Sequence, residues 1–169
     1  MKNEAEAEIE RRFLVARPLP ELGQGGLIEQ AYLATGMPNV RVRRKDGRYR
    51  QTVKGERPAG KYGRPEVEFD LDPDVGERLF QLAGERTIRK TRFEIGRWEL
   101  DVFHDDLEGL LILEIELESE DEALPPLPAG VRVLREVTHE VRLGNAALAA
   151  LGPEERRAFV EQLYRDVAR

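Results

Sequence analysis

The chain has 169 residues and a formal net charge of −6, from 33 acids against 27 bases; that balance disfavours a generic basic nucleic-acid binder, which works by neutralising phosphates. With no cysteine and two histidines, disulfide scaffolds, thiolate zinc sites, cysteine nucleophiles and histidine-rich metal sites are excluded, so any metal is a hard cation held by carboxylates. Apolar residues make up 40% and charged residues 36%, enough for one core and one domain over 1–169, while no signal-like start and no run near 18 apolar residues appears, which predicts a cytoplasmic protein with no membrane partner. The dominant pattern along the chain is then period two. Glu8 to Val15 alternates, with Glu8, Glu10 and Arg12 on one face and Ile9 and Phe13 on the other. A strand is expected near Gln30, Tyr32 and Leu33. Val40 to Arg43 alternates next, Asp46-Gly47 reads as a hairpin turn, and Tyr49 to Lys54 returns with Arg50, Thr52 and Lys54 on one side. Glu66 to Leu71 follows. Asp72-Pro73-Asp74 caps a short helix carrying Leu79, Phe80 and Leu82. Arg89 to Ile95, Trp98 to Phe103 and Leu113 to Glu118 are three more strands, with a turn at Gly96-Arg97, and Val137 to Val141 is expected to be the last strand. Pro58 to Gly63 and Leu124 to Gly130 are loops, and the acidic run Glu118 to Glu122 reads as a solvated helix start. Asn145 to Leu151 is alanine-rich, and 152–169 is a C-terminal helix with Phe159, Val160, Leu163, Tyr164 and Val167 on one stripe, available to pack the outside of a barrel or a homodimer contact.

Eight or nine strands in one domain suit an antiparallel barrel. The charged faces carry a further pattern. They are acid-only in Glu66/Glu68/Asp70, Glu99/Asp101 and Glu114/Glu116/Glu118, and base-only in Arg41/Arg43 and Lys90/Arg92. Like charges two apart on a strand repel, and a solvent face has no reason to segregate them. If those faces point inward, Glu8, Glu10, Arg41, Arg43, Lys90, Arg92, Glu114 and Glu116 line a lumen. Burying such charges is tolerable only when ions fill the space. Carboxylates would take a divalent cation, and arginines and lysines a polyanion; both together imply a metal–polyphosphate complex. His104 reads as a surface histidine, His139 and Trp98 as structural, and the lone serine, Ser119, belongs to no nucleophilic triad.

Several segments, in order, resemble the CYTH superfamily, the triphosphate tunnel metalloenzymes. Glu8-Ile9-Glu10-Arg11-Arg12 resembles the opening ExExK strand, Gln30 to Leu33 the second element, Val40 to Arg43 the VRxR strand and Thr52-Val53-Lys54-Gly55 the TxKG strand. Glu66-Val67-Glu68, Lys90 to Phe93, Trp98 to Phe103, Gly109-Leu110 with Leu113 to Leu117, and Glu136-Val137-Thr138 with Arg142 and Asn145 match the later strands and the closing segment. The resemblance implies a mainly β fold: an eight-stranded antiparallel closed tunnel barrel with a charged lumen, helices packed outside and a C-terminal helix. It implies Mg²⁺- or Mn²⁺-dependent hydrolysis of a triphosphate-containing small molecule, inorganic triphosphate first, with a class IV adenylate cyclase or a non-catalytic polyphosphate-binding module as alternatives. It assigns metal binding to Glu8, Glu10, Glu114 and Glu116 with Asp101 nearby, and phosphate binding to Arg12, Arg41, Arg43, Lys54, Lys90 and Arg92. Glu66, Glu68, Tyr32 and Arg142 form a second tier. One position departs from the motif: Arg12 stands where the family has lysine. Arginine keeps the charge but does not give up its proton. Arg12, Lys90 and Tyr32 are therefore the catalytic candidates, with proton donation to the leaving oxygen passing to Tyr32 or Lys90.

Overall fold

A computed structural model describes residues 9–56, 65–119 and 121–167. Glu8 and the whole Pro58–Gly63 loop lie outside the described residues. Nine strands form one antiparallel sheet: β1 Ile9–Val15, β2 Gly26–Ala34, β3 Asn39–Lys45, β4 Arg48–Lys54, β5 Glu66–Leu71, β6 Thr87–Ile95, β7 Trp98–Phe103, β8 Leu111–Leu117 and β9 Val133–Glu136. The helices are α1 Pro73–Ala83, α2 Asn145–Ala150 and α3 Pro153–Val167. Strand order is β5-β4-β3-β2-β6-β7-β8-β1-β9. Among the described residues no ladder joins β5 to β9. The expected closed eight-stranded barrel is therefore a nine-stranded sheet with a gap between those two edges.

Local chemistry explains the elements. Asp46 and Gly47 adopt φ of 50° and 72°, the left-handed pair that a tight hairpin requires, and this sets Lys45 opposite Arg48. Asp72 caps α1 by accepting from the Asp74 N–H at 3.0 Å, with Pro73 in the first turn. The helix lies close on the sheet because Gly76 has no side chain: a Cβ there would stand 2.3 Å from Tyr49 Cγ.

Cross-strand partners share a face. The register therefore assigns Glu10, Arg12 and Leu14 on β1 to the same face as Glu116, Glu114 and Ile112 on β8. That face continues through Glu99 and Asp101, Arg92 and Lys90, Gln30 and Tyr32, Arg43 and Arg41, Arg50 and Thr52, to Asp70 and Glu68. The opposite face is apolar over β1, β7 and β8, where Phe13, Val15, Trp98, Leu100, Leu113 and Ile115 form one core. Loop residues Leu19, Leu22, Leu124 and Val131 cover it, rather than helices. On β5 the outer residues Val67 and Phe69 are exposed.

The charged face ends in an apolar plug. Leu14, Tyr32, Ile88, Phe103 and Ile112 sit one step beyond the charged residues of their strands. They pack with Leu148, Ala149, Val160 and Leu163 of α2 and α3. The apolar stripe of α3 is thus used on the end of the lumen, not on the outer wall. Arg156 fastens α2 there by donating to the carbonyls of Leu148, Ala149, Glu85 and Thr87.

Two expected elements are corrected. Val137 to Val141 is not a strand; β9 is Val133–Glu136, and the following chain turns into a 3-10 helix at Val141–Leu143. The turn is built locally, with the Glu140 N–H donating to the Val137 carbonyl at 3.0 Å and the Glu140 side chain capping the next turn. The described part of the Glu118–Glu122 run is not helical. Glu122 instead pairs with Arg97 and accepts from the Glu118 N–H at 2.7 Å. Among the described residues no helix is long and apolar enough to cross a membrane.

Candidate active site

The basic wall comes from β3 and β4. Period two puts Arg41 and Arg43 on the lumen face, opposite Thr52 and Arg50. The Nε atoms of Arg41 and Arg43 are buried and, among the described residues, have no hydrogen-bond partner. A buried donor without an acceptor is costly, so each points to an anion. Burial lowers the Arg43 pKa from its ordinary value, and Arg41, Arg92 and Arg50 lower it further against the pull of Glu68. The cations crowd one another. Along the outer edge of this wall, Glu68 accepts from Thr52 Oγ1 at 2.8 Å and lies 4.0 Å from Arg41 and 3.8 Å from Arg50. Glu66 pairs with Lys54 at 2.8 Å, and Asp70 with Arg50 at 2.9 Å.

The acidic wall comes from β7, β8 and β1. Glu10 stands directly opposite Glu116, and Glu114 opposite both Arg12 and Glu99. Lys90 and Arg92 on β6 form the seam between the two walls. Lys90 is 1% exposed and Asp101 fully buried. Lys90 Nζ pairs with Asp101 Oδ2. Arg92 Nε and Nη2 each donate to one Asp101 oxygen at 2.6 Å. Arg92 Nη2 also donates to Glu114 at 2.8 Å, and Nη1 to Glu99. Burial alone would raise Asp101, but Lys90 and Arg92 outweigh it and hold the carboxyl below its ordinary range. Glu114 goes the other way. Burial, with Asp101 and Glu10 nearby, pushes it up to about 7 against the pull of Lys90 and Arg92.

The family model of the CYTH domain matches residues 6–147. The chain belongs to the CYTH domain family. It is 38% identical to an inorganic triphosphatase of Nitrosomonas europaea over 154 residues, covering 84% of this chain and 96% of that one. It is 35% identical to an inorganic triphosphatase of Acetivibrio thermocellus over 150 residues, 83% of this chain and 92% of the relative. A crystal structure of an inorganic triphosphatase superposes with a TM-score of 0.65 at 32% identity, covering 89% of this chain and 99% of the other.

Within this CYTH fold, the register gathers Glu10, Arg12, Arg41, Arg43, Lys54, Glu66, Glu68, Lys90, Arg92, Asp101, Glu114 and Glu116 onto one face of the sheet. Glu8 lies outside the described residues. Arg12 is engaged at the plug end: Nη1 donates to the Leu143 carbonyl at 3.2 Å and Nη2 to that of Glu140 at 3.4 Å. Tyr32 is buried among the plug residues and donates its hydroxyl hydrogen to Gln30 Oε1 at 3.0 Å. Arg142 is not brought to the others. Its side chain is 66% exposed, paired to Glu140 and laid over Phe159. Among the described residues, lumen-face groups outside the candidates drawn from the sequence include Gln30, Arg50, Thr52, Asp70 and Glu99. Their signal is the alternation itself, since each lies two or four positions from a candidate on the same strand.

The carboxylates Glu10, Glu114 and Glu116 supply only oxygen donors, which suit a hard divalent cation. Among the described residues no three acids converge on one point. Asp101 has both oxygens engaged by Arg92 and Lys90, so in this structure it orients those bases.

Proposed function

We propose that this chain hydrolyses inorganic triphosphate to pyrophosphate and orthophosphate, with the substrate lying between the Arg41/Arg43 wall and Lys90/Arg92. The observation that carries the reading is the pair of buried, partnerless Nε donors on Arg41 and Arg43, set in a cluster whose cations repel one another. A chain of phosphates supplies the missing acceptors, and guanidinium forks match phosphate oxygens two at a time. The 35–38% identity to inorganic triphosphatases supports the same substrate class. Glu10, Glu114 and Glu116, with Glu8, would hold Mg²⁺ or Mn²⁺, which supplies neutralisation of phosphate oxygens. The residues of the chain do the rest by position and charge. Arg41 and Arg43 hold one end of the substrate. Lys90, fixed by Asp101, presents an oriented ammonium at the seam and is the candidate proton donor to the leaving oxygen. Arg92 stabilises charge where the walls meet. Water then attacks the terminal phosphorus in line while pyrophosphate leaves.

The test is a product assay on inorganic triphosphate, ATP and thiamine triphosphate, each with Mg²⁺ or Mn²⁺ and with chelator. The expected result is metal-dependent orthophosphate release, fastest from inorganic triphosphate. Cyclic AMP from ATP as the main product would favour the cyclase reading, and no metal-dependent turnover would favour a binding module.

A further inference from the structure

Among the described residues, Arg92 is the one lumen arginine that contacts three carboxylates, with Asp101, Glu99 and Glu114 all accepting from it. Arg41 and Arg43 on β3, across β2 from the strand of Arg92, leave buried Nε donors unmatched among the described residues. The bonds of Arg92 fall into two kinds. Asp101 is gripped at both oxygens and is itself held by Lys90, so that contact is anchored. Glu99 and Glu114 are each held through a single N–H. Glu114 sits on β8 two positions from Glu116, whose cross-strand partner is Glu10, and these are the carboxylates named above as candidate cation ligands. Held by Arg92, Glu114 does not converge with the other two.

We infer that Arg92 is an exchangeable counter-ion: in the ligand-free lumen it occupies Glu114, and triphosphate releases Glu114 to the cation by drawing the outer Arg92 N–H groups onto phosphate oxygens. The inference rests on the proposed triphosphatase reading. Guanidinium forks accept carboxylate and phosphate with similar geometry, so the exchange replaces one charge-assisted hydrogen bond with another. The Asp101 grip keeps the guanidinium at the seam throughout. Cation and triphosphate therefore assist one another through the protein, beyond their direct contact, and the assistance is reciprocal.

The test measures Mn²⁺ binding to the full chain by equilibrium dialysis, first without any phosphate. Arg92→Gln frees Glu114 and removes one positive charge; Arg43→Gln removes a positive charge from the same lumen and frees no carboxylate. Arg92→Gln is expected to bind Mn²⁺ about fivefold or more tightly than the unaltered chain, the low end of coupling between linked sites. Arg43→Gln is expected to stay within about twofold, as for a screened charge. Adding Glu114→Gln to Arg92→Gln should cancel the gain. Equal affinities for Arg92→Gln and Arg43→Gln would overturn the exchange while leaving the triphosphatase reading intact. Absence of Mn²⁺ binding in every variant, with and without inorganic triphosphate, would overturn both. Should Arg92→Gln not fold, Arg92→Lys keeps the charge but has no fork, and a gain in the same direction is expected; no gain overturns the exchange.

Discussion

Glu114 and Asp101 occupy neighbouring strands of one wall, yet their surroundings drive them in opposite directions. Burial, Asp101 and Glu10 push Glu114 up to about 7, while Lys90 and Arg92 hold Asp101 below its ordinary range. A carboxyl raised in the folded state favours folding when protonated. That contribution is complete below its ordinary value near 4.5 and is lost as pH rises through about 7. Asp101 has the reverse sign, contributing above its ordinary value and failing only in stronger acid. The ligand-free protein should therefore lose melting temperature between about pH 5 and about pH 8 from Glu114, and Glu114→Gln should flatten that slope. An unchanged slope in the variant would show that another group sets it. Arg43 gives a second prediction at this scale. Arg43→Ala removes a phosphate clamp worth roughly 1.5–3 kcal/mol, so kcat/KM on inorganic triphosphate should fall about tenfold to a hundredfold. Added Mn²⁺ should not restore it, because no cation ligand is lost; restoration by metal would move Arg43 out of the phosphate contacts.

Arg12 and Gly76 act on whole elements. Arg12 sits on β1 but its side chain reaches the carbonyls of Leu143 and Glu140, while the Val137 N–H donates to the Arg12 backbone carbonyl at 2.7 Å. It thereby ties the chain after β9 to the plug end of the lumen. Arg12→Lys keeps the charge and loses the fork, so amides over residues 137–144 should exchange faster with solvent, by about tenfold for one charged hydrogen bond. Unaltered protection there would leave Arg12 as a phosphate contact alone. Gly76→Ala forces a Cβ to within 2.3 Å of Tyr49 Cγ, on the strand that presents Arg50, Thr52 and Lys54. Overpacking of this kind costs about 1–3 kcal/mol, read as a lowered melting temperature; a neutral result would mean α1 can slide on the sheet. These elements also show what was legible in the sequence. The Gly96-Arg97 turn pairs Ile95 with Trp98, and from there the antiparallel count places Arg92 opposite Asp101. The seam was therefore readable from one hairpin and its alternation. Glu10 opposite Glu116 was not, because more than half of the chain separates β1 from β8 and no turn fixes their register. Val137, His139 and Val141 alternate as a strand would, but Val137 is buried in the plug core while Val141 is 80% exposed. Period two alone cannot tell that turn from an edge strand.

The sheet is a cup with one end filled by Leu14, Tyr32, Ile88, Phe103, Ile112 and the helices above them. Among the described residues its side is unpaired between β5 and β9. The net charge of −6 describes the whole surface, whereas the chemistry depends on how the charges are sorted inside. β3 and β4 bring Arg41, Arg43 and Arg50 together; Glu68 and Asp70 offset only Arg41 and Arg50 at the outer edge, and the other nearby acids are committed elsewhere, Glu99, Asp101 and Glu114 to Arg92 and Glu66 to Lys54. The ligand-free lumen thus holds a repulsive basic cluster that folding energy elsewhere must offset. Any anion that fits it stabilises the folded state in proportion to how much of the cluster it reaches, since the unfolded chain gathers no such cluster. Inorganic triphosphate spans several guanidinium groups and orthophosphate one or two. At about a hundred times its dissociation constant a ligand adds about 2.7 kcal/mol, several degrees of melting temperature for a chain of this size. With Mg²⁺ present, inorganic triphosphate at a given concentration should therefore raise the melting temperature by several degrees, and orthophosphate at the same concentration by far less. Raising the salt concentration should shrink the triphosphate shift only in part, because much of the cluster is shielded from bulk ions. Equal shifts from the two anions would mean that Arg41 and Arg43 do not act together on one ligand.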